Sequence, residues 1–311
     1  MRKVFCIGEA LIDFVCTDGR DTFVKNVGGA PLNVAAAITK YGAEGLFVGK
    51  VGRDSFGMSI KNYCSENGIG AQHLYFDENT ATTLAFVSLF ENGERDFSFI
   101  RGADEQLLPT ELPLREIKDG GCLHLGSATA LLGGPLEESY NEALAFAKEQ
   151  GVFISFDPNY RSALFENQQE AFIKKARDIL PLCGLCKFSL EEAELISGEK
   201  TLDNIAASLE NLGAQAFLIT LGKDGSLFHI GRNTEKTPTI PVKSLDSTGA
   251  GDACLGFLLA RIAQDKALLQ NAEKRREALR LANIAGALST TKYGGAASLP
   301  AMQEILEKAD A

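Results

Sequence analysis

The sequence predicts an α/β fold in which helices cover both faces of a mainly parallel sheet, with a small β-sheet set apart from it as a lid. Two observations carry this. From about residue 120, strand-like apolar runs alternate with helix-like runs, the pattern of a parallel sheet. Before that point the chain reads as strands joined by turn signals, and hairpins do not fit inside such a sheet.

Residues 4–11 read as a buried strand. Residues 14–27 alternate around Thr17-Asp18-Gly19-Arg20, a turn signal. Residues 33–41 form an alanine-rich helix ending at Gly42. Residues 82–90 and 95–99 flank Glu91-Asn92-Gly93-Glu94, whose Asn-Gly is a strong hairpin cue. Strands then fall at 122–125, 153–156, 186–189 and 216–220, interleaved with helices at 136–149, 168–180 and 190–197. Two further helices cover about 250–264 and 275–290. The early hairpins form a small projecting sheet that can close over a site.

The chain has 311 residues, 45% of them hydrophobic. At ~150 residues per domain this is one large domain or two smaller ones. It is long enough to bury a core without disulfides or structural metals. The net charge of -10 repels a phosphate backbone and speaks against a nucleic-acid partner. Any nucleotide site must therefore be built locally, from backbone N–H groups and a metal ion. The opening Met1-Arg2-Lys3-Val4-Phe5-Cys6-Ile7-Gly8 has too short an apolar stretch for a signal peptide. No segment approaches the ~20 apolar residues of a membrane span. A soluble, cytoplasmic protein is expected. Of the seven cysteines, Cys6, Cys122 and Cys254 lie in apolar contexts, as reduced core residues do. Cys183-Gly184-Leu185-Cys186 has no second pair or clustered histidines for zinc. It lies between a helix and a strand and reads as structural.

The segment Asp246-Ser247-Thr248-Gly249-Ala250-Gly251-Asp252 runs into an apolar helix. Small residues let a ligand approach the backbone, and the first N–H groups of a helix lack internal partners. With the helix dipole they make an anion hole. Asp252 beside it is either a favourable helix-start carboxylate or a base next to a transferring phosphoryl group, and spacing alone leaves the two level. The loop is not a Walker A motif: Gly49-Lys50 and Gly222-Lys223 both lack the following Ser or Thr. It is not a dinucleotide GxGxxG either, and Gly8-Glu9-Ala10 after the first strand breaks that pattern too. The protein-kinase motifs are absent.

A second glycine cluster, Gly28-Gly29-Ala30-Pro31-Leu32-Asn33, leads into a helix. Gly-Gly permits close approach to a polyol, and the Asn33 amide can donate and accept. Asp13 follows the first strand, where open α/β sheets bind ligands. Alone, these residues are a turn and a helix cap.

Together, the two clusters strongly resemble the signatures of the ribokinase-like (PfkB) carbohydrate kinase family. The first continues through Gly42, Val48-Gly49-Lys50-Val51-Gly52 and Asp54-Ser55-Phe56-Gly57; the second is Asp246 to Asp252. The resemblance spans essentially the whole chain. Phe257 departs from the family's usual Gly or Ala and should alter packing more than chemistry. The resemblance implies a ribokinase-like core at 1–12, 29–73 and 103–311 holding ATP, and a lid at 13–28 and 74–102 over a sugar.

By the same resemblance, Asp252 is the catalytic base and Gly249, Ala250 and Gly251 form the anion hole. Asp13, Gly28, Gly29, Asn33, Arg101 and Arg161 bind the sugar. Lys187, Ser189, Thr220, Gly222, Gly225 and Asn283 bind ATP, with Ser189 replacing the Asn of the family's Asn-x-x-Glu. Glu192 ends that motif and helps hold a magnesium–phosphate cluster. Asp246 and Thr248, with Gly294 and Ser298, match a monovalent-cation site, usually potassium. A homodimer through the lid is also implied.

Gly8-Glu9-Ala10-Leu11-Ile12-Asp13-Phe14, Phe99-Ile100-Arg101-Gly102-Ala103-Asp104 and Phe156-Asp157-Pro158-Asn159-Tyr160-Arg161 look like the fructokinase branch, which implies fructose phosphorylated on its 6-hydroxyl. The rival is 2-keto-3-deoxygluconate kinase, whose acid substrate also needs arginines; a ribokinase-type kinase comes after it. A sugar-binding relative without catalysis would be expected to lack Asp252 or the anion hole, and both are intact.

Overall fold

Consecutive side chains of the first strand, β1 (Lys3–Ile7), feed two different cores. Val4 and Cys6 pack into one hydrophobic cluster, Phe5 and Ile7 into another. Strand side chains alternate between faces, and a strand buried on both belongs inside a covered parallel sheet.

The computed structural model describes residues 3–16, 22–89 and 95–310. After β1 come β2 (Leu11–Cys16), β3 (Phe23–Gly28), α1 (Ala30–Lys40), β4 (Glu44–Gly52), α2 (Ser55–Glu66), β5 (Gly70–Asp77), β6 (Leu84–Leu89) and β7 (Arg95–Ile100). Next are α3 (Leu114–Gly120), β8 (Gly121–Leu125), α4 (Gly134–Glu149), β9 (Phe153–Phe156), α5 (Gln169–Ile179), β10 (Leu185–Ser189), α6 (Leu190–Ser197), α7 (Leu202–Asn211) and β11 (Ala216–Thr220). Then follow β12 (Ser226–Ile230), β13 (Asn233–Thr237), α8 (Ala250–Gln264), α9 (Ala272–Ser289) and α10 (Met302–Ala309).

The large sheet has the order β13-β12-β11-β10-β9-β8-β1-β4-β5, and the small one β3-β2-β6-β7. Pairing is parallel from β11 to β5, and antiparallel only where β12 and β13 extend the edge. The predicted α/β class, mainly parallel sheet and separate small β-sheet are all present.

Several details differ from the sequence reading. The single strand expected over 4–11 is two. β1 stops at Ile7, and β2 starts at Leu11 in the small sheet. Gly8 makes the break: its φ is 145°, and a Cβ there would lie 2.5 Å from Ser127 Cβ. The helix expected from residue 33 starts at Ala30, with Pro31 in its first turn, where a missing N–H costs nothing. The sequence pattern does not reveal β4, α2 and β5. Gly45, Gly49 and Gly52 interrupt β4, and glycines inside a strand read as turns. Gly49 is needed there because a Cβ would meet Gly8 O at 2.4 Å. By sheet membership, Leu11 and Ile12 go with the small sheet and residues 74–77 with the large one. The turns at Thr17-Asp18-Gly19-Arg20 and Glu91-Asn92-Gly93-Glu94 lie outside the described residues.

Helix α8 is apolar nearly all round and is buried between α1 and α9, as such a helix must be. Phe257 is fully buried there, 5.0 Å from the Tyr41 ring and beneath the Arg261 guanidinium. All seven cysteines are buried, and none forms a disulfide. Among the described residues no helix is long and apolar enough to cross a membrane.

Candidate active site

The first turn of α8 starts from Gly249, whose φ of 78° is left-handed. A Cβ there would lie 2.8 Å from Gly295 Cα, so both conformation and space call for glycine. A Cβ on Gly251 would come 2.9 Å from Lys187 Nζ. The helix N-terminus and a buried ammonium thus face one another, a setting that favours an anion. Of the expected anion-hole groups, the Ala250 N–H already donates to Ser247 O at 3.3 Å.

Asp252 is in that turn, and no side chain caps the helix. Its Oδ2 instead accepts from Asn33 Nδ2 at 2.9 Å. Asn33 Oδ1 accepts from Ala296 N at 3.1 Å, which fixes the amide's orientation. Burial pushes the Asp252 carboxyl above the usual carboxylate value, and Glu192 adds to this. Lys187, the Asn33 hydrogen bond and Arg161 pull it down.

Of the expected sugar residues, Asn33 bonds to this carboxylate, and the charges of Asp13 and Arg161 act in the same region. Asp13 stands on β2 beside Gly28 of β3, where a Cβ would lie 2.0 Å from Asp13 Oδ2. Gly29 has φ 105°, and a Cβ there would meet Glu9 O at 2.5 Å. Burial raises the Asp13 carboxyl to about 7; Arg161 opposes the rise, and Asp246 and Asp252 add to it. The Arg161 charge thus acts on both Asp13 and Asp252, while its Nη1 donates to Tyr160 O at 3.0 Å. Arg101 has partners of its own. It leaves β7 and bonds to Asp104 Oδ2 at 3.4 Å and Thr129 O at 3.1 Å, which engages its guanidinium with the protein.

On the expected nucleotide side, Lys187 Nζ lies 3.0 Å from Asp157 Oδ2, both buried. Burial alone would lower the Lys187 pKa, but Asp157, Glu192 and Asp252 outweigh it and keep the ammonium charged. Ser189 and Glu192 form a reciprocal cap on α6. Glu192 Oε2 accepts from Ser189 N at 2.7 Å and Oε1 from Tyr160 N at 2.8 Å. Thr220 ends β11, and Gly222 and Gly225 form the next turn with φ of 58° and 85°. Asn283 lies on α9, and its Nδ2 donates to Thr237 O at 2.8 Å and Pro238 O at 3.2 Å. It thus fastens the segment that follows β13.

The expected cation ligands form one loop cluster. Asp246 Oδ1 accepts from Thr248 N at 2.8 Å and Oδ2 from Gly294 N at 3.0 Å. Ser298 Oγ donates to Gly295 O at 2.8 Å. The Asp246 carboxylate and the Ser298 hydroxyl are oxygen ligands, the kind that suits a hard cation. Among the described residues no group of three or more His, Cys, Asp or Glu side chains is placed to hold a metal ion.

Two contributors received no role from the sequence. Asp157 is the partner of Lys187. Asn159 has φ 46°, the sole positive φ of a non-glycine among the described residues. Its Nδ2 donates to Gly126 O at 3.0 Å. That turn aims Tyr160 N at Glu192. The Asp-Pro-Asn run was the available signal, since Asn tolerates this conformation after proline.

A family model, pfkB family carbohydrate kinase, matches residues 1–302. A probable fructokinase-4 of Arabidopsis thaliana is 38% identical over 311 aligned residues, 97% of this chain and 95% of that protein. A fructokinase of Xylella fastidiosa solved with bound ATP superposes with TM-score 0.90 at 29% identity, covering 98% of this chain and 97% of that one. A double-mutant fructokinase of Vibrio cholerae O395, solved with fructose, ADP and potassium ion, superposes with TM-score 0.88 at 30% identity, covering 99% and 98%. The chain belongs to the pfkB family of carbohydrate kinases. Each of these three relatives is a fructokinase or probable fructokinase.

Proposed function

We propose that this protein is an ATP-dependent fructokinase that phosphorylates the 6-hydroxyl, with Asp252 as general base. The observation that carries the reading is the Asp252 carboxylate, held by Asn33 at the N-terminus of α8 and facing the Lys187 ammonium. The sugar O–H gives its proton to Asp252 while its oxygen bonds to the γ-phosphorus of ATP, and the bond to ADP breaks. Phosphoryl transfer needs this positioning and charge stabilisation more than covalent chemistry. Gly249, Ala250, Gly251 and Lys187 surround the transferring group.

Fructose is favoured over 2-keto-3-deoxygluconate by the charges at the sugar side. A substrate carboxylate would meet Asp13 and Asp252, with the Arg161 charge already acting on both and Arg101 engaged elsewhere. Neutral hydroxyls suit these acceptors. An ADP-release assay with each sugar tests this: turnover with 2-keto-3-deoxygluconate and none with fructose refutes the choice.

Magnesium binds phosphate oxygens and usually keeps its waters. Each Glu192 oxygen already accepts a backbone N–H, so Glu192 would hold such a hydrated cluster through the remaining lone pairs. Asp246, Thr248, Gly294 and Ser298 would hold potassium. Ser189, Thr220, Gly222, Gly225 and Asn283 frame the nucleotide. Seven buried cysteines without a disulfide suit a reducing compartment, and the protein is read as cytoplasmic. Phe23, Val24 and Ile100 are 42%, 46% and 59% exposed on the edge strands of the small sheet. They suit a homodimer through the lid; a monomer by light scattering at micromolar concentration rules that out.

A further inference from the structure

All four strands of the small sheet enter or leave at one end. Leu11, the first residue of β2, pairs with Gly28, the last of β3. Ile12 pairs with Leu84, the first of β6, and Leu84 pairs with Ile100, the last of β7. The covalent crossings to the large sheet therefore lie along a single line. They are Gly8-Glu9-Ala10, Gly29, residues 78–83 and Arg101-Gly102.

Two buried carboxylates fasten these crossings in pairs. Glu9, on the first, accepts from Ala30 N at 3.2 Å, just past the second. Asp104, just past the fourth, accepts from the Thr83 hydroxyl of the third. The same Thr83 hydroxyl accepts from Gly102 N at 2.8 Å. The start of β2 meets the third crossing directly, Ile12 N donating to Thr83 O at 3.1 Å. The turn after β8 continues the line from Asp104 towards Glu9. Thr129 Oγ1 donates to Asp104 Oδ2 at 2.7 Å, and Ser127 Oγ lies 3.2 Å from Thr129 Oγ1. The Ser127 side chain is close enough to Glu9 to pull that carboxyl's pKa down. Even so, Glu9 Oε2 is buried without a hydrogen bond of good geometry.

A polar line of this kind is costly to bury unless it is satisfied. An apolar contact would hold the crossings equally well if fixing them were its whole purpose. Hydroxyls and carboxylates can exchange partners by rotation, so such a line can hold two arrangements of the strands it joins.

We infer that Glu9, Ser127, Thr129, Asp104 and Thr83 form one hinge that sets the angle of the small sheet over Asp252, and thereby positions Asp13 and Gly28 for the sugar. These are positioning residues; they act through the strands they hold. The inference rests on the reading of the small sheet as a lid over the sugar.

The test uses Thr83→Val and Thr129→Val, singly and together, in the full-length protein. Each swaps one hydroxyl for a methyl and touches neither Asp13, Asn33, Arg161 nor Asp252. In the double variant the fructose KM should rise about tenfold, as loss of a hydrogen bond to a charged group predicts, with kcat and the ATP KM within about twofold. Thr83→Ser should restore the KM to the wild-type value. Hydrogen exchange of β2 and β3 amides, with and without fructose, gives the separate readout. Slowing in the wild type that is lost in the double variant supports the hinge. An unchanged KM with slowing retained overturns the hinge and leaves the lid reading intact, even if the melting temperature falls. No slowing in the wild type overturns the lid reading and the hinge with it.

Discussion

Asn33 Nδ2 lies 2.9 Å from Asp252 Oδ2, which joins α1 to α8 across 219 residues of chain. Because Ala296 N occupies the Asn33 oxygen, the amide can only donate to Asp252. A donor that cannot flip favours the ionised carboxylate, the form a general base needs at rest.

Asn33→Ala removes that donor. The Asp252 carboxyl, already raised by burial, should rise further. The acid limb of the pH profile of kcat/KM should therefore move to higher pH. An unmoved limb in the variant would show that Asn33 serves packing alone.

Lys187→Met leaves Asp157 buried without its partner. Breaking a buried pair from one side typically costs about 3–5 kcal/mol, which urea unfolding would read. Adding Asp157→Asn should recover most of the loss, because the two residues share one interaction. Additive losses would mean that the 3.0 Å pair contributes no coupling.

Glu9 contributes a pH dependence to stability. Burial raises its carboxyl from 4.5 to about 7. Between those values the folded protein holds a proton that the unfolded chain has released. Stability therefore falls as pH rises through that window, by an order of about 3 kcal/mol for this group. Glu9→Gln should make the fall shallower by that amount. Parallel stability curves for the two proteins between pH 4.5 and 7 would contradict the assignment.

Gly28→Ala would place a Cβ 2.0 Å from the present position of Asp13 Oδ2. The Asp13 carboxylate must then move. Fructose KM should rise by about tenfold or more, the scale of one lost charge-assisted hydrogen bond, while ATP KM stays unchanged. An equal rise in both would place Gly28 outside the sugar site.

Much of this was legible in the residues. The alternation after residue 120 gives the parallel sheet, because β8 to β11 are short apolar runs separated by helices with clear ends. The region of β4 and β5 was illegible for a physical reason. Gly45, Gly49 and Gly52 are needed where other backbone comes within 2.2–2.5 Å of a would-be Cβ, yet in a sequence they look like turns. At the site, the Gly249 loop and the Gly28 cluster announce themselves by composition. Asp157 and Asn159 do not, since their roles depend on Lys187 and Gly126, brought near by β10 and β8.

The most direct measurement is kcat for Asp252→Asn in an ADP-release assay with fructose. The substitution keeps the side chain's shape and removes its ability to take a proton. General bases contribute roughly 10²–10⁴-fold, and a loss of that size, with fructose KM little changed, is predicted. A kcat equal to that of the wild type would contradict the assignment of Asp252 as the base.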